Sequence, residues 1–192
     1  MWPEGQGPMA LMKQFKTPAD FWSGMVEPDF ADCEANKADL RAAFHAAISL
    51  FHMHDWVWIT HEVSVRAAFN IQRSRPKPDS SLFADALESK YNDFGLIRSI
   101  ANAAKHLKLE NLSRPSRVVN AANHAANTAV HVPGAGVGGY GVGAGYATPG
   151  LSYAGHPRVV LSGPNGTNME FFNVATAVYD MWTTLRARYG WW

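Results

Sequence analysis

Along residues 37–69, apolar side chains recur at steps of three and four, and this run limits the fold more than any other feature. Its spine passes through Leu40, Phe44, Ala47, Phe51, His54, Trp58, His61 and Val65, the spacing of one helix face. Leu50, Met53, Val57 and Ile59 add apolar groups on other faces. A helix that is apolar nearly all round must be enclosed by other elements. The expected fold class is therefore mainly α (α+β): a helical bundle around this long central helix, with Asn36 as its cap.

Shorter signals place the remaining elements. Pro3, Gly5, Gly7 and Pro8 make residues 1–16 read as a flexible lead, followed by one domain over 17–192. Thr17 and Pro18 open a helix, which Pro28 is expected to end. Helices are expected over residues 81–91 and from Asp93 to about Leu109. Strand-like composition at Val118-Val119, at 128–132 and at 158–161 predicts a small antiparallel sheet near the C-terminal third. It belongs to a β- and glycine-rich insertion at about 114–166. Glycine occupies eight of the positions 134–150, which reads as a mobile loop or a close-packed turn region. A phosphate cradle is a weaker alternative, because no strand-then-helix context follows the glycines and no Gly-Lys-Ser/Thr closes the run. Ser162 to Gly166 reads as a turn. Thr167 and Glu170 form a capping-box pattern for a last helix, stopped by Gly190 before Trp191 and Trp192.

Composition removes several classes of function. The 192 residues, 47% of them hydrophobic, suffice for one core. A net charge of +1 gives no global field toward nucleic acid or membrane. Cys33 is the only cysteine, so no internal disulfide forms, which fits a reducing, cytoplasmic setting. No run approaches the length of a membrane span, and the first residues lack a secretion-signal pattern. There is no Gly-x-Ser-x-Gly elbow. Asp32 and Glu34 flank Cys33 and are expected to raise its thiol pKa, which argues against a nucleophile.

Chemistry-bearing residues concentrate on two helical stretches. Arg98, Asn102, Lys105 and His106 fall on one stripe of their helix. Together they offer a guanidinium, an amide, an ammonium and an imidazole, a set suited to an anion. On the central helix His54 and Asp55 supply an imidazole and a carboxylate. An Asp55 contact to Lys105 or His106 would neutralise the one or orient the other. Polar groups on packing faces are costly unless partnered. A satisfied structural network is therefore the first reading, an anion or phosphodiester site the second, and a metal site the third. The metal reading involves His45, His52, His54, Asp55 and His61. His54 and His61 lie about 10 Å apart along a helix, as do His45 and His52, too far to chelate one ion. No metal ligand and no cofactor is assigned. Arg66, Arg73, Arg75 and Lys77 make a short basic patch, read as a solvated loop before nucleic-acid contact.

The segments FHMHDWVW and DFGLIRSIANAAKHLKL resemble a group of uncharacterised bacterial proteins with a His-Asp-Trp helix and an Asn-x-x-Lys-His helix. The matching positions are His54, Asp55 and Trp56, then Asn102, Lys105 and His106. A looser similarity is to the HEPN superfamily of helical ribonucleases, which carry an arginine followed by a histidine. Seven residues separate Arg98 from His106, a longer gap than in that family. The similarity implies helical architecture, with an RNA-directed enzyme or binder as the matching activity.

Three functions are thus expected in order: a non-catalytic structural or partner-binding protein, an RNA-directed nuclease or binder, and a metal-binding bundle. In the first, the glycine- and tyrosine-rich loop and Trp191-Trp192 serve as contact surfaces for a protein partner. In the second, His106 is acid or base, Arg98 and Lys105 hold phosphate, and His54 or Asp55 supports them.

Overall fold

The computed structural model describes residues 15–72, 80–103, 128–131, 157–162 and 168–192. Its axis is the expected central helix, α3 (Leu40–Phe69). Around it lie α1 (Pro18–Phe21), a π-helical segment (Trp22–Val26), α2 (Glu27–Ala35), α4 (Ser81–Lys90), α5 (Asn92–Ala103) and α6 (Phe171–Tyr189). Strands β1 (Thr128–His131), β2 (Arg158–Ser162) and β3 (Asn168–Glu170) pair antiparallel in the order β1-β2-β3. No helix among the described residues is long and apolar enough to cross a membrane.

Leu50, Met53 and Val57 are fully buried in the middle of α3. Trp182 of α6 fastens two helices together, its indole N–H donating to the Leu50 carbonyl at 2.9 Å. Trp191 is also buried and donates to the Ser64 hydroxyl at 3.0 Å, while the Trp192 ring packs 5.7 Å from that of Trp22. Trp191 thus belongs to the core and is not the contact surface expected of it, while Trp192 is half-buried against that core. The reason is Gly190: its φ of 63° ends α6 in a left-handed turn and folds the chain back onto the bundle.

Pro28 does not end the first helix, contrary to expectation. Proline in a helix clashes with the carbonyl four residues earlier and supplies no N–H. Here the wider π turn runs from Trp22 to Val26 just ahead of it, and Glu27 N–H bonds Trp22 O instead. The chain therefore stays helical through Ala35. Asn36 closes α2 rather than capping α3. The α3 cap is Asp39, whose carboxylate accepts from the backbone N–H groups of Arg41 and Ala42. Of the expected Thr167/Glu170 capping box, Thr167 lies outside the described residues, and Glu170 does not take the third helical position. Glu170 has extended geometry and precedes α6 without a side-chain cap bond, because Asn168 to Glu170 pair with β2. Strands near 128 and 158 occur as expected. Val118-Val119, the glycine-rich stretch at 134–150 and the turn after Ser162 lie outside the described residues.

The π segment makes one specific contact. A Cβ added to Gly24 would stand 2.2 Å from the edge of the Phe15 ring, so the ring sits directly on this glycine. Phe15 also packs edge-on against Phe21 and Trp56. Alanine is intrinsically favoured over glycine in a helix by up to about 1 kcal/mol. Gly24→Ala is expected to realise that gain only when Phe15 is already alanine. Urea melts of the two single variants and the double variant should therefore show a coupling of about 1 kcal/mol. Additive effects would mean the ring does not rest there.

Candidate functional site

His54 and Asp55 sit together near the middle of α3, and two further groups join them. Asp55 lies three residues after His52, hence on the same helix face, and accepts from His52 Nδ1 at 2.9 Å. The Ser80 hydroxyl, just before α4, donates to the other carboxylate oxygen. His54 Nε2 stands 3.3 Å from that same oxygen. Burial alone would raise the Asp55 pKa, but the bonds from His52 and Ser80 and the nearby His54 more than offset it, so the carboxyl lies below its ordinary 3.8. Asp55 is ionised at neutral pH and acts as a hub.

His54 itself is buried, 3% exposed. Its Nδ1 donates to the Phe51 carbonyl at 2.5 Å, and the ring lies against Phe51 and Phe94. Burial pushes its pKa below the ordinary 6.5. Asp55 and the Phe51 carbonyl pull the other way without cancelling it, while His52 and Arg98 add to the depression. His54 is therefore a neutral core imidazole at pH 7.

Arg98 is engaged elsewhere. Its guanidinium bonds Asp85 at 2.8 Å and Glu88 at 2.9 Å, tying α5 to α4. An anion there would have to displace two carboxylates. Asn102 lies half-buried on the last described turn of α5, and Lys105 and His106 lie outside the described residues. Of the six expected site residues, the structure brings together His54 and Asp55 and gives Arg98 a different partnership.

The accessible feature beside this cluster is a cleft of about 380 Å³ between α3 and the α1–π–α2 rod. Phe21, Met25, Ile48 and Trp56 form its apolar walls, and Asp29, His45, Ser49, His52 and Asp55 supply its polar groups. Positions 45, 48, 49, 52, 55 and 56 share one face of α3 by helical spacing. Asp29 faces them from α2, near Ser49, whose hydroxyl donates to the Ala46 carbonyl at 3.2 Å. Burial raises its pKa above 3.8, partly offset by Ser49 and His45. No lysine or arginine occurs among the lining residues.

Asp29 and Ser80 had no signal in the sequence, because one was assigned beyond a helix end and the other joins Asp55 across 25 positions. The His52–Asp55 pair was legible as an i, i+3 spacing. Chemically, the cleft suits binding more than group transfer. Ser80 donates to a carboxylate rather than to a base, so it is not activated as a nucleophile. Cys33 is buried away from solvent and its thiol is pushed up to about 11, first by burial. Among the described residues no group of three or more His, Cys, Asp or Glu side chains has a geometry able to hold a metal ion. Comparison with protein-family models, with curated proteins and with solved structures found no match to this chain.

Proposed function

We propose that this protein is a non-catalytic partner-binding domain whose cleft on α3 takes a peptide segment with a basic side chain between apolar ones. One observation carries the reading: four aromatic or aliphatic side chains line the cleft together with two carboxylates, and no lysine or arginine is among the lining residues. Apolar walls supply affinity by burying ligand surface, and a few placed polar groups set its orientation. An ammonium or guanidinium entering here meets Asp55 and Asp29, and its aliphatic stem lies along the apolar wall that Trp56 forms with the Phe21 ring stacked on it. A phosphate group would meet the same carboxylates as like charges and lose its hydration without recompense.

The test uses a capped Leu-Lys-Phe peptide and its Leu-Glu-Phe counterpart as probes, followed by NMR of the His52 ring and the Ile48 methyl groups. The lysine peptide should shift these signals in a saturable way and bind at least about tenfold more tightly, equivalent to roughly 1.4 kcal/mol. Asp55→Asn should narrow that difference. Equal binding of the two peptides, or saturable binding of neither, overturns the reading.

A further inference from the structure

We infer that the cleft is one end of a longer surface on α3, and that the partner it takes is an amphipathic helix with basic flanks. The apolar face of that helix covers Ile59 and Val63, and a basic side chain at one end of it reaches Asp55 in the cleft. The inference rests on the functional reading above and names the form of the partner.

The surface follows from how far the α1–π–α2 rod covers α3. The rod runs antiparallel to α3: Asp29 lines the cleft with His45 and Ser49, and Phe21 stacks on Trp56 with ring centroids 5.1 Å apart. α1 begins at Pro18, so the rod stops near the level of Trp56, whereas α3 continues to Phe69. At about 100° per residue, Ile59 and Val63 fall within the arc spanned by His45, Ile48, His52 and Trp56. The face that lines the cleft thus runs on past the end of the rod, and there it is open. Ile59 is 80% and Val63 84% exposed, while every other large apolar side chain of α3 is buried or half-buried. His61 departs from helical geometry between the two, and both still face solvent.

A helix is the form of partner that suits this ridge. The backbone of α3 is already paired within the helix, so an extended peptide laid over Ile59 and Val63 would find no partners for its own N–H and C=O groups. A second helix pairs those groups internally and brings only side chains to the contact. Thr60, Ser64 and Ala67, exposed beside the ridge, are small and allow the two helices to approach closely.

The charge of the partner follows from the carboxylates. Residues 17–36, which include the whole rod, carry Asp20, Glu27, Asp29, Asp32 and Glu34 and no lysine or arginine. Asp55 stands with Trp56 in the cleft lining. Arg66, on the same stretch of α3 as the ridge, is held by Glu62 at 2.8 Å and lies over the Trp58 ring. A helix with lysine or arginine along its polar flank is drawn to this side of the molecule, and an acidic one is repelled.

The probes are the capped Leu-Lys-Phe peptide and two longer capped peptides. In these a leucine–lysine amphipathic helix of about four turns either follows the tripeptide or precedes it. The better of the two should bind the full chain at least about tenfold more tightly than Leu-Lys-Phe alone. Ile59→Asp combined with Val63→Asp should remove that gain and leave the affinity for Leu-Lys-Phe within about twofold, because neither position lines the cleft. Should the aspartates lower the thermal midpoint, Ile59→Ser with Val63→Ser reads the same loss. No gain, or a gain that survives the substitutions, overturns the inference and leaves the cleft reading standing. Replacing the helix lysines by glutamate should cancel the gain, and a gain kept in full overturns the basic partner. If Leu-Lys-Phe itself shows no saturable binding, the cleft reading fails and takes this inference with it.

Discussion

Trp182→Ala will destabilise the fold by about 4 kcal/mol and lower the thermal midpoint by on the order of 10 °C. Trp182 is fully buried, and its ring meets those of Phe83, Phe94 and Trp192. One side chain therefore joins α4, α5 and the returning terminus to α3. Two losses add up: the buried surface with its residual cavity, and the hydrogen bond to the Leu50 carbonyl. Trp182→Phe separates them. It keeps most of the apolar contact but removes the indole donor, so it should cost nearer 1–2 kcal/mol, because the carbonyl retains its helical partner. Chemical denaturation of the three proteins at one pH measures both differences. A cost below about 1 kcal/mol for the alanine variant would show that α6 does not rest on this ring.

The second large effect is pH dependence centred on His54. Its folded-state pKa lies below the ordinary 6.5, so as pH falls the unfolded chain binds the proton first. Stability present above pH 6.5 is lost as pH drops from 6.5 toward the folded-state value. Each such proton contributes a slope of at most about 1.4 kcal/mol per pH unit. The groups facing the imidazole are Asp55, His52, Arg98 and the Phe51 carbonyl. Asp55 acts in the same direction in a lower window, since its carboxyl is held below 3.8 and its contribution is lost only in stronger acid. His54→Phe, placed among Phe51 and Phe94, should flatten the dependence between pH 7.5 and 5.5 relative to the unsubstituted protein. The difference between the two denaturation series isolates this histidine from the others. Identical slopes would mean that His54 is not the proton acceptor.

The polar residues on the central helix illustrate how far a sequence reaches. Helical spacing put His54 in the packing seam, where it is buried; the His52–Asp55 contact, an i, i+3 pair, follows from the same pitch although the sequence reading did not single it out. Spacing also marked Arg98, but which charges it meets depends on how α5 lies against α4. Asp85 and Glu88, on a separate helix, took it.

Residues 37–69 were enough to determine a long buried helix enclosed by other elements, and the strand-like composition at 128–132 and 158–161 marked the small antiparallel sheet. Those follow from periodicity and local composition, both read along the chain. Only the tertiary structure decided that Pro28 is absorbed by a π turn, that Trp191 returns to the core, and that Asp29 and Ser80 converge on the α3 face. Each depends on contacts between segments far apart in the chain. Such contacts are selected by mutual packing and shared burial, which no local spacing encodes.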